Sequence, residues 1–249
     1  MTVTFIFVAM TMKSILSSFL ALLNFTMNTI NSFFEEVFCI SLERRREDWY
    51  NPATGRIVKG RFAECQGEFS KNNIKVRYVD GVDGLTLNIP KMTSIDGTPV
   101  SRGDIGCVLS HLKVVRFARE MKLSNYFVFE DDAELTANFN ERFAGYIDQV
   151  PADWDMIYLG GNHDLPVSMV APNVARMHRT FTTHAIAVNH TVYDAMEEVL
   201  GRENDKVDIC IAELHKRFNC YVFRPHLASQ RASWSDILER DADYQHLRE

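Results

Sequence analysis

Charge is nearly missing from the start of this 249-residue chain: of 27 Lys plus Arg and 33 Asp plus Glu, only Lys13 falls between Met1 and Phe34. At uniform density about eight charges belong there. A clean apolar run is missing too, because Lys13, several Ser and Thr, and Asn24 interrupt VTFIFVAMTMKSILSSFLALLNFTM before about 18 apolar residues accumulate. A charged n-region and a small-residue cleavage site are also lacking, which argues against a cleaved signal peptide. Residues 1–34 are therefore read either as an apolar extension, with the domain beginning at Met27, or as a weak signal anchor. Location stays open between cytoplasm and membrane association, with a secretory lumen if the segment anchors the chain. Only in a lumen would the acceptor triplets at Asn24 and Asn189 matter.

Basic residues are in deficit: the net charge is −6 and the sequence pI is near 5.8. Nucleic-acid binding needs at least a basic face, so it is excluded as a leading function. The five cysteines include no CxxC pair, which argues against a zinc site and a disulfide framework. They read as mostly buried thiols. No repeat, low-complexity tract or Pro/Gly/Ser linker divides the body, so residues 35–249 are expected to form one domain.

What is present is an alternation of short apolar runs with helical patterns. The runs are Val37 to Leu42, Ile74 to Val79, Tyr126 to Phe129, Met156 to Leu159, Ala185 to Val188 and Cys220 to Phe223. Runs so short and apolar predict buried, largely parallel strands of an α/β fold. Between the second and third, Ile105, Val108, Leu109, Leu112, Val115 and Ala118 recur at three- and four-residue steps. They predict a helix over Asp104 to Lys122 with one buried face, capped by Asp104.

Ligands of such sheets collect beyond the carboxyl ends of the strands. The residues there are Glu43 with Arg44 to Arg46, Asp80 to Gly84, Glu130 to Asp132, Gly160 to Asp164, and Arg224 to His226. The triple Glu130, Asp131 and Asp132 is the sharpest signal. Adjacent carboxylates repel one another, and a divalent cation such as Mn²⁺ or Mg²⁺ resolves the conflict. Extended geometry points Glu130 and Asp132 to one side and Asp131 to the other. Guanidiniums at Arg44 to Arg46 suit a diphosphate, which with the metal suggests a nucleotide-sugar.

The segments CISLERRRED, YVDGVDG, GDIGCVLSHLKVV, YFVFEDDAEL, WDMIYLGG and PHLASQRASWSDI occur in this order. Together, over roughly Val37 to Ile237, they resemble glycosyltransferase family 25, which includes lipooligosaccharide galactosyltransferases and procollagen galactosyltransferase domains. The resemblance implies a single GT-A-like domain with a mostly parallel central sheet flanked by helices. It implies transfer of a hexose from a UDP-sugar, with inversion, to a hydroxyl of a glycan, a lipooligosaccharide or hydroxylysine. Glu130, Asp131 and Asp132 fall where that fold has its DxD motif, with Asp132 in direct metal contact. Ser41, Leu42, Arg44, Asp80, Gly81, Asp83, Ser110 and His111 would line the nucleotide-sugar pocket, and Gln230, Ser235 and Asp236 would close over it. Gly160, Gly161 and His163 are assigned to the acceptor side.

A cation on the leaving diphosphate removes the need for a protein acid there, but the acceptor hydroxyl still needs a base. Asp208, in KVDICIAEL, is the first candidate, with the alternative of an ordinary helix cap; Glu213 is the reserve. Two other readings remain, a catalytically silent nucleotide-sugar-binding or lectin-like relative and a metal-dependent phosphatase or nucleotidyltransferase.

Overall fold

All six apolar runs contribute strands to one eight-stranded sheet, although in the second run Ile74 to Val76 precede the strand, which begins at Arg77. The computed structural model describes residues 28–244, so Asn24 to Thr26 and Met27 lie outside the described residues. The strands are β1 (Val37–Ser41), β2 (Arg77–Asp80), β3 (Asn125–Glu130), β4 (Met156–Tyr158), β5 (Ser168–Ala171), β6 (Val174–Arg176), β7 (Ala185–Asn189) and β8 (Cys220–Phe223). Their spatial order is β5-β6-β8-β4-β7-β3-β1-β2.

Strands β1, β2 and β3 run parallel, as do β4 and β8; β7 is antiparallel to both β3 and β4, and the hairpin β5-β6 joins antiparallel to β8. Six strands thus share a direction, as the apolar runs predicted, while β6 and β7 oppose it. The reversal of β7 has a consequence for the site. Its register pairs Ala185 with Phe129, so the residues just before β7 emerge at the edge where β3 ends.

Alternation along the strands builds two cores. Tyr126 and Val128 face one side with Phe38, while Phe127 and Phe129 face the other with Cys39. All six are essentially inaccessible to solvent, and each large side chain contributes roughly 1.5–3 kcal/mol by leaving water. Helix α1 (Ile30–Phe33), α2 (Phe62–Lys71) and α4 (Phe139–Ile147) cover the second core. Ile30 and Phe34 are buried there, Phe34 with its ring 5.2 Å from that of Phe127. Ile30 and Phe34 thus pack with the body of the chain.

Helix α3 (Arg102–Glu120), α5 (Tyr193–Leu200) and α6 (Val207–Ala212) cover the first core. Ile105, Val108, Leu112, Val115 and Ala118 of α3 are buried, as the periodicity predicted. The cap differs. Ser101 is the N-cap, accepting from the Asp104 amide at 3.1 Å, and Asp104 reciprocates by accepting from the Ser101 amide at 2.7 Å. The reciprocal pair satisfies two helix-end donors, where Asp104 alone would satisfy one. No helix among the described residues is long and apolar enough to cross a membrane.

Candidate functional site

The carboxyl ends of β1 and β3 and the first turns of α3 enclose a cleft with about 880 Å³ between its walls, part of it open solvent. Leu42, Arg44, Ser110, His111, Glu130, Asp131, Asp132, Gln230, Ser235 and Asp236 line it. The loop after β2 is drawn onto α3, where the Val82 amide donates to Ser110 Oγ at 2.8 Å. A Cβ on Gly84 would sit 2.3 Å from the Arg102 carbonyl oxygen, and one on Gly106 would sit 2.6 Å from that of Val82. Only glycines allow backbones this close. Asp80 and Gly81, by contrast, belong to the shoulder of the cleft; the exposed Asp80 pairs with Arg46 and Gly81 packs on Ile40 and Leu42.

The acidic triple does not follow strand alternation. Strand β3 ends at Glu130 and the chain turns over Asp131 and Asp132, so both aspartates meet one cation that the sequence did not reveal, Arg61. Its guanidinium lies 2.7 Å from Asp131 and 3.2 Å from Asp132. Ser41 Oγ donates to the other oxygen of Asp131 at 2.9 Å. The like-charge conflict is thus already met within the chain, by a guanidinium. Arg61 sits at the start of α2 in a segment with no recognisable motif, which is why spacing could not find it.

Electrostatics separate the three carboxylates. Burial, with Glu130 and Asp131 close by, pushes Asp132 up to about 7 despite Arg61. Burial also acts to raise Glu130, but hydrogen bonds from His111, 3.1 Å away, and from Thr183 Oγ1 at 2.7 Å hold it below the usual range. Burial works against the charge of Arg61, and Asp131, Asp132 and Asp236 outweigh it, raising that guanidinium. Asp132 Oδ1 is buried without a hydrogen-bond partner. An orphaned carboxylate oxygen of that kind suits a hard cation.

The arginine cluster is internally paired. Arg44 bonds Asp83 at 2.6 Å and Asp236 at 2.9 Å, and the buried Arg45 bonds Asp236 at 2.7 Å. Asp236 therefore ties the late segment across the cleft, joining Ser235 and Gln230 to the wall.

Asp208 lies in the first turn of α6 rather than at its N-cap, which is Lys206. Its carboxylate accepts from the amides of Ile209 at 2.9 Å and Thr182 at 3.3 Å. Burial raises it above the ordinary range, and the charge of Glu130 adds to the effect. Thr182 holds φ at 70°, a left-handed value costing a β-branched residue about 1–3 kcal/mol. The strained pair faces both ways: Thr182 donates to Asp208 while Thr183 donates to Glu130. This bridge between candidate base and acidic triple was invisible in sequence, because it depends on the reversed direction of β7.

Four expected site residues are not among those lining the cleft. Glu213 is exposed and pairs with Arg202 at 2.8 Å, outside the cleft. Gly160 and Gly161 are buried, and Cβ atoms there would lie 2.3 Å from the Ala228 carbonyl oxygen and 2.5 Å from Thr180 Cγ2. His163 bonds Thr180 Oγ1 at 2.8 Å and His226 Nε2 at 3.3 Å, apart from the residues lining the cleft.

The half-buried His163 and the buried His184 and His215 impose a pH dependence. Burial pulls His163, His184 and His215 each down to about 4, from about 6.5 in an unfolded chain. The unfolded state therefore takes up protons first as pH falls. Stability is complete above about pH 6.5 and declines toward pH 4, by up to about 1.4 kcal/mol per pH unit for each fully buried ring. Asp132 acts in the opposite sense over pH 7 to 4, so the test isolates one ring. His184→Phe is expected to flatten the decline in urea-unfolding free energy between pH 7 and 5; an unchanged slope would clear His184 of any part in it.

Comparison with known proteins follows the geometry. The family model described as glycosyltransferase family 25 (LPS biosynthesis protein) matches residues 34–202. The chain is similar to the rat "Probable inactive glycosyltransferase 25 family member 3", at 33% identity over 55% of this chain and 24% of that protein. It is similar to human "Procollagen galactosyltransferase 2", at 28% identity over 51% of this chain and 21% of that protein. It thus spans about a quarter of the length of these relatives. Among solved structures, A197 from STIV has a TM-score of 0.41 at 10% identity, over 81% of this chain and 90% of that one. That likeness is too distant to bear on function.

Proposed function

The chain belongs to glycosyltransferase family 25, and from that premise we propose that it is a metal-dependent inverting glycosyltransferase. Its donor is a UDP-hexose, galactose or glucose, and its acceptor a hydroxyl of a glycan, lipooligosaccharide or hydroxylysine. The observation that carries the reading is the buried, unpartnered Oδ1 of Asp132 in a cleft at the carboxyl edge of the sheet.

Asp132 and Glu130 are the residues that would hold Mn²⁺ or Mg²⁺, which when bound supplies Lewis-acid stabilisation of the departing diphosphate. Asp131, saturated by Ser41 and Arg61, positions that turn. Arg44, now shared between Asp83 and Asp236, can exchange those partners for phosphate oxygens at similar geometry. Asp208 accepts the acceptor's proton, and its raised affinity for protons suits a base near neutral pH.

The test is release of UDP from UDP-galactose and UDP-glucose, with and without Mn²⁺. Metal-dependent release coupled to sugar transfer is expected, and Asp132→Ala is expected to abolish it in a folded protein. A second reading has its own observation, the relatives named inactive: the cleft binds a nucleotide-sugar without turning it over. Nucleotide binding without turnover of any donor would establish that reading; an active Asp132→Ala variant would remove the metal assignment.

A further inference from the structure

Cys107 and His111 stand one turn apart on the same face of α3, and both line the cleft. They converge on Glu130. His111 Nε2 lies 3.1 Å and Cys107 Sγ 4.0 Å from Glu130 Oε1, and the three atoms all fall within 4.8 Å of one another. Tetrahedral zinc, with bonds of about 2.0–2.3 Å, separates its ligand atoms by roughly 3.3–3.6 Å. The observed spacings bracket that range, so small side-chain movements suffice.

We infer that Cys107, His111 and Glu130 form a site for a thiophilic divalent cation of the zinc class, with its fourth position open to the cleft. Thiolate, imidazole and carboxylate together select zinc or cobalt over magnesium or calcium. Two anionic ligands and one neutral ligand balance the double positive charge. Thr183, donating to Glu130 Oε1 at 2.7 Å, orients the carboxylate from behind. Binding of the cation displaces the thiol proton to solvent. The absence of a CxxC pair argued in sequence against a zinc site, but this donor set is assembled from a helix face and a strand end. Because Glu130 is shared with the acidic triple, a thiophilic ion here also withdraws one carboxylate from a hard cation at Asp132. The site is a property of the resting protein and stands whether or not sugar transfer is the reaction.

Cobalt gives a direct test, since a Co²⁺–thiolate bond produces a near-ultraviolet charge-transfer band. The chelator-treated full chain titrated with Co²⁺ is expected to develop that band and to lose it on addition of Zn²⁺. Cys107→Ser should abolish the band, and His111→Asn should weaken Co²⁺ binding at least about tenfold. Asp132→Asn should leave it intact, which separates this site from the hard-cation assignment. No band in the wild-type chain, or an undiminished band in folded Cys107→Ser, would overturn the inference. So would an unchanged cobalt affinity in His111→Asn.

Discussion

Arg61→Met is expected to destabilise the folded chain by about 3–5 kcal/mol, the cost of stripping a buried ion pair of one partner. The guanidinium is the near neighbour of three carboxylates, Asp131, Asp132 and Asp236, whose side chains are 3%, 12% and 12% exposed. Met fills much of the volume, so the loss comes from charge rather than from a cavity. Asp131 keeps the hydrogen bond from Ser41, and Asp132 loses its nearest cation. The deficit carries a signature in pH. Burial already raises Asp132, and without the opposing charge of Arg61 its carboxyl holds a proton more tightly still in the folded state. Protonation therefore relieves the variant, and its deficit should shrink as pH falls from 8 to 5. Urea unfolding at these two values measures it. A cost below about 1 kcal/mol, the same at both, would mean that the charges are solvated and Arg61 is not their counterion. Partial restoration of the variant by Mn²⁺ is expected as well, since a hard cation can take the vacated electrostatic role.

Asp208→Asn is expected to lower sugar transfer by about 10²–10⁴-fold, the usual contribution of a positioned base. The substitution is conservative in shape. The side-chain oxygen of Asn can still accept from the amides of Thr182 or Ile209, so the start of α6 and the strained Thr182 stay in place. What goes is the capacity to accept a proton. Donor binding should change by less than about twofold, because Asp208 is not among the residues lining the cleft. The decisive comparison is therefore nucleotide affinity by calorimetry beside transfer rate. Weakened nucleotide binding with normal transfer would assign Asp208 to the donor pocket and end its candidacy as base.

The amino-acid sequence by itself determined the class of fold and the place of the cleft. Phe127 and Phe129 alternate with Tyr126 and Val128 over one short run, and Ile105, Val108 and Leu112 recur on one helix face. These patterns are local, and burial follows from them directly. The triple Glu130 to Asp132 was legible for the same reason, because like charge crowded at an apolar strand's end is anomalous in one dimension. The exchange of caps between Ser101 and Asp104 lay at the margin of what is legible, since both residues suit the role.

Only the tertiary structure decided what meets those carboxylates. Arg61 lies 70 positions before Asp131, and nothing in its neighbourhood marks it as a counterion. Thr182 and Thr183 became part of the site because β7 runs against β3, and strand direction is set by which apolar face must be covered rather than by the strand's own residues. The same holds for Gly160 and Gly161, whose close packing against Ala228 and Thr180 uses their missing side chains. Periodicity records which residues are buried; contact between distant residues, and therefore the charge balance of the cleft, exists only once the sheet is assembled.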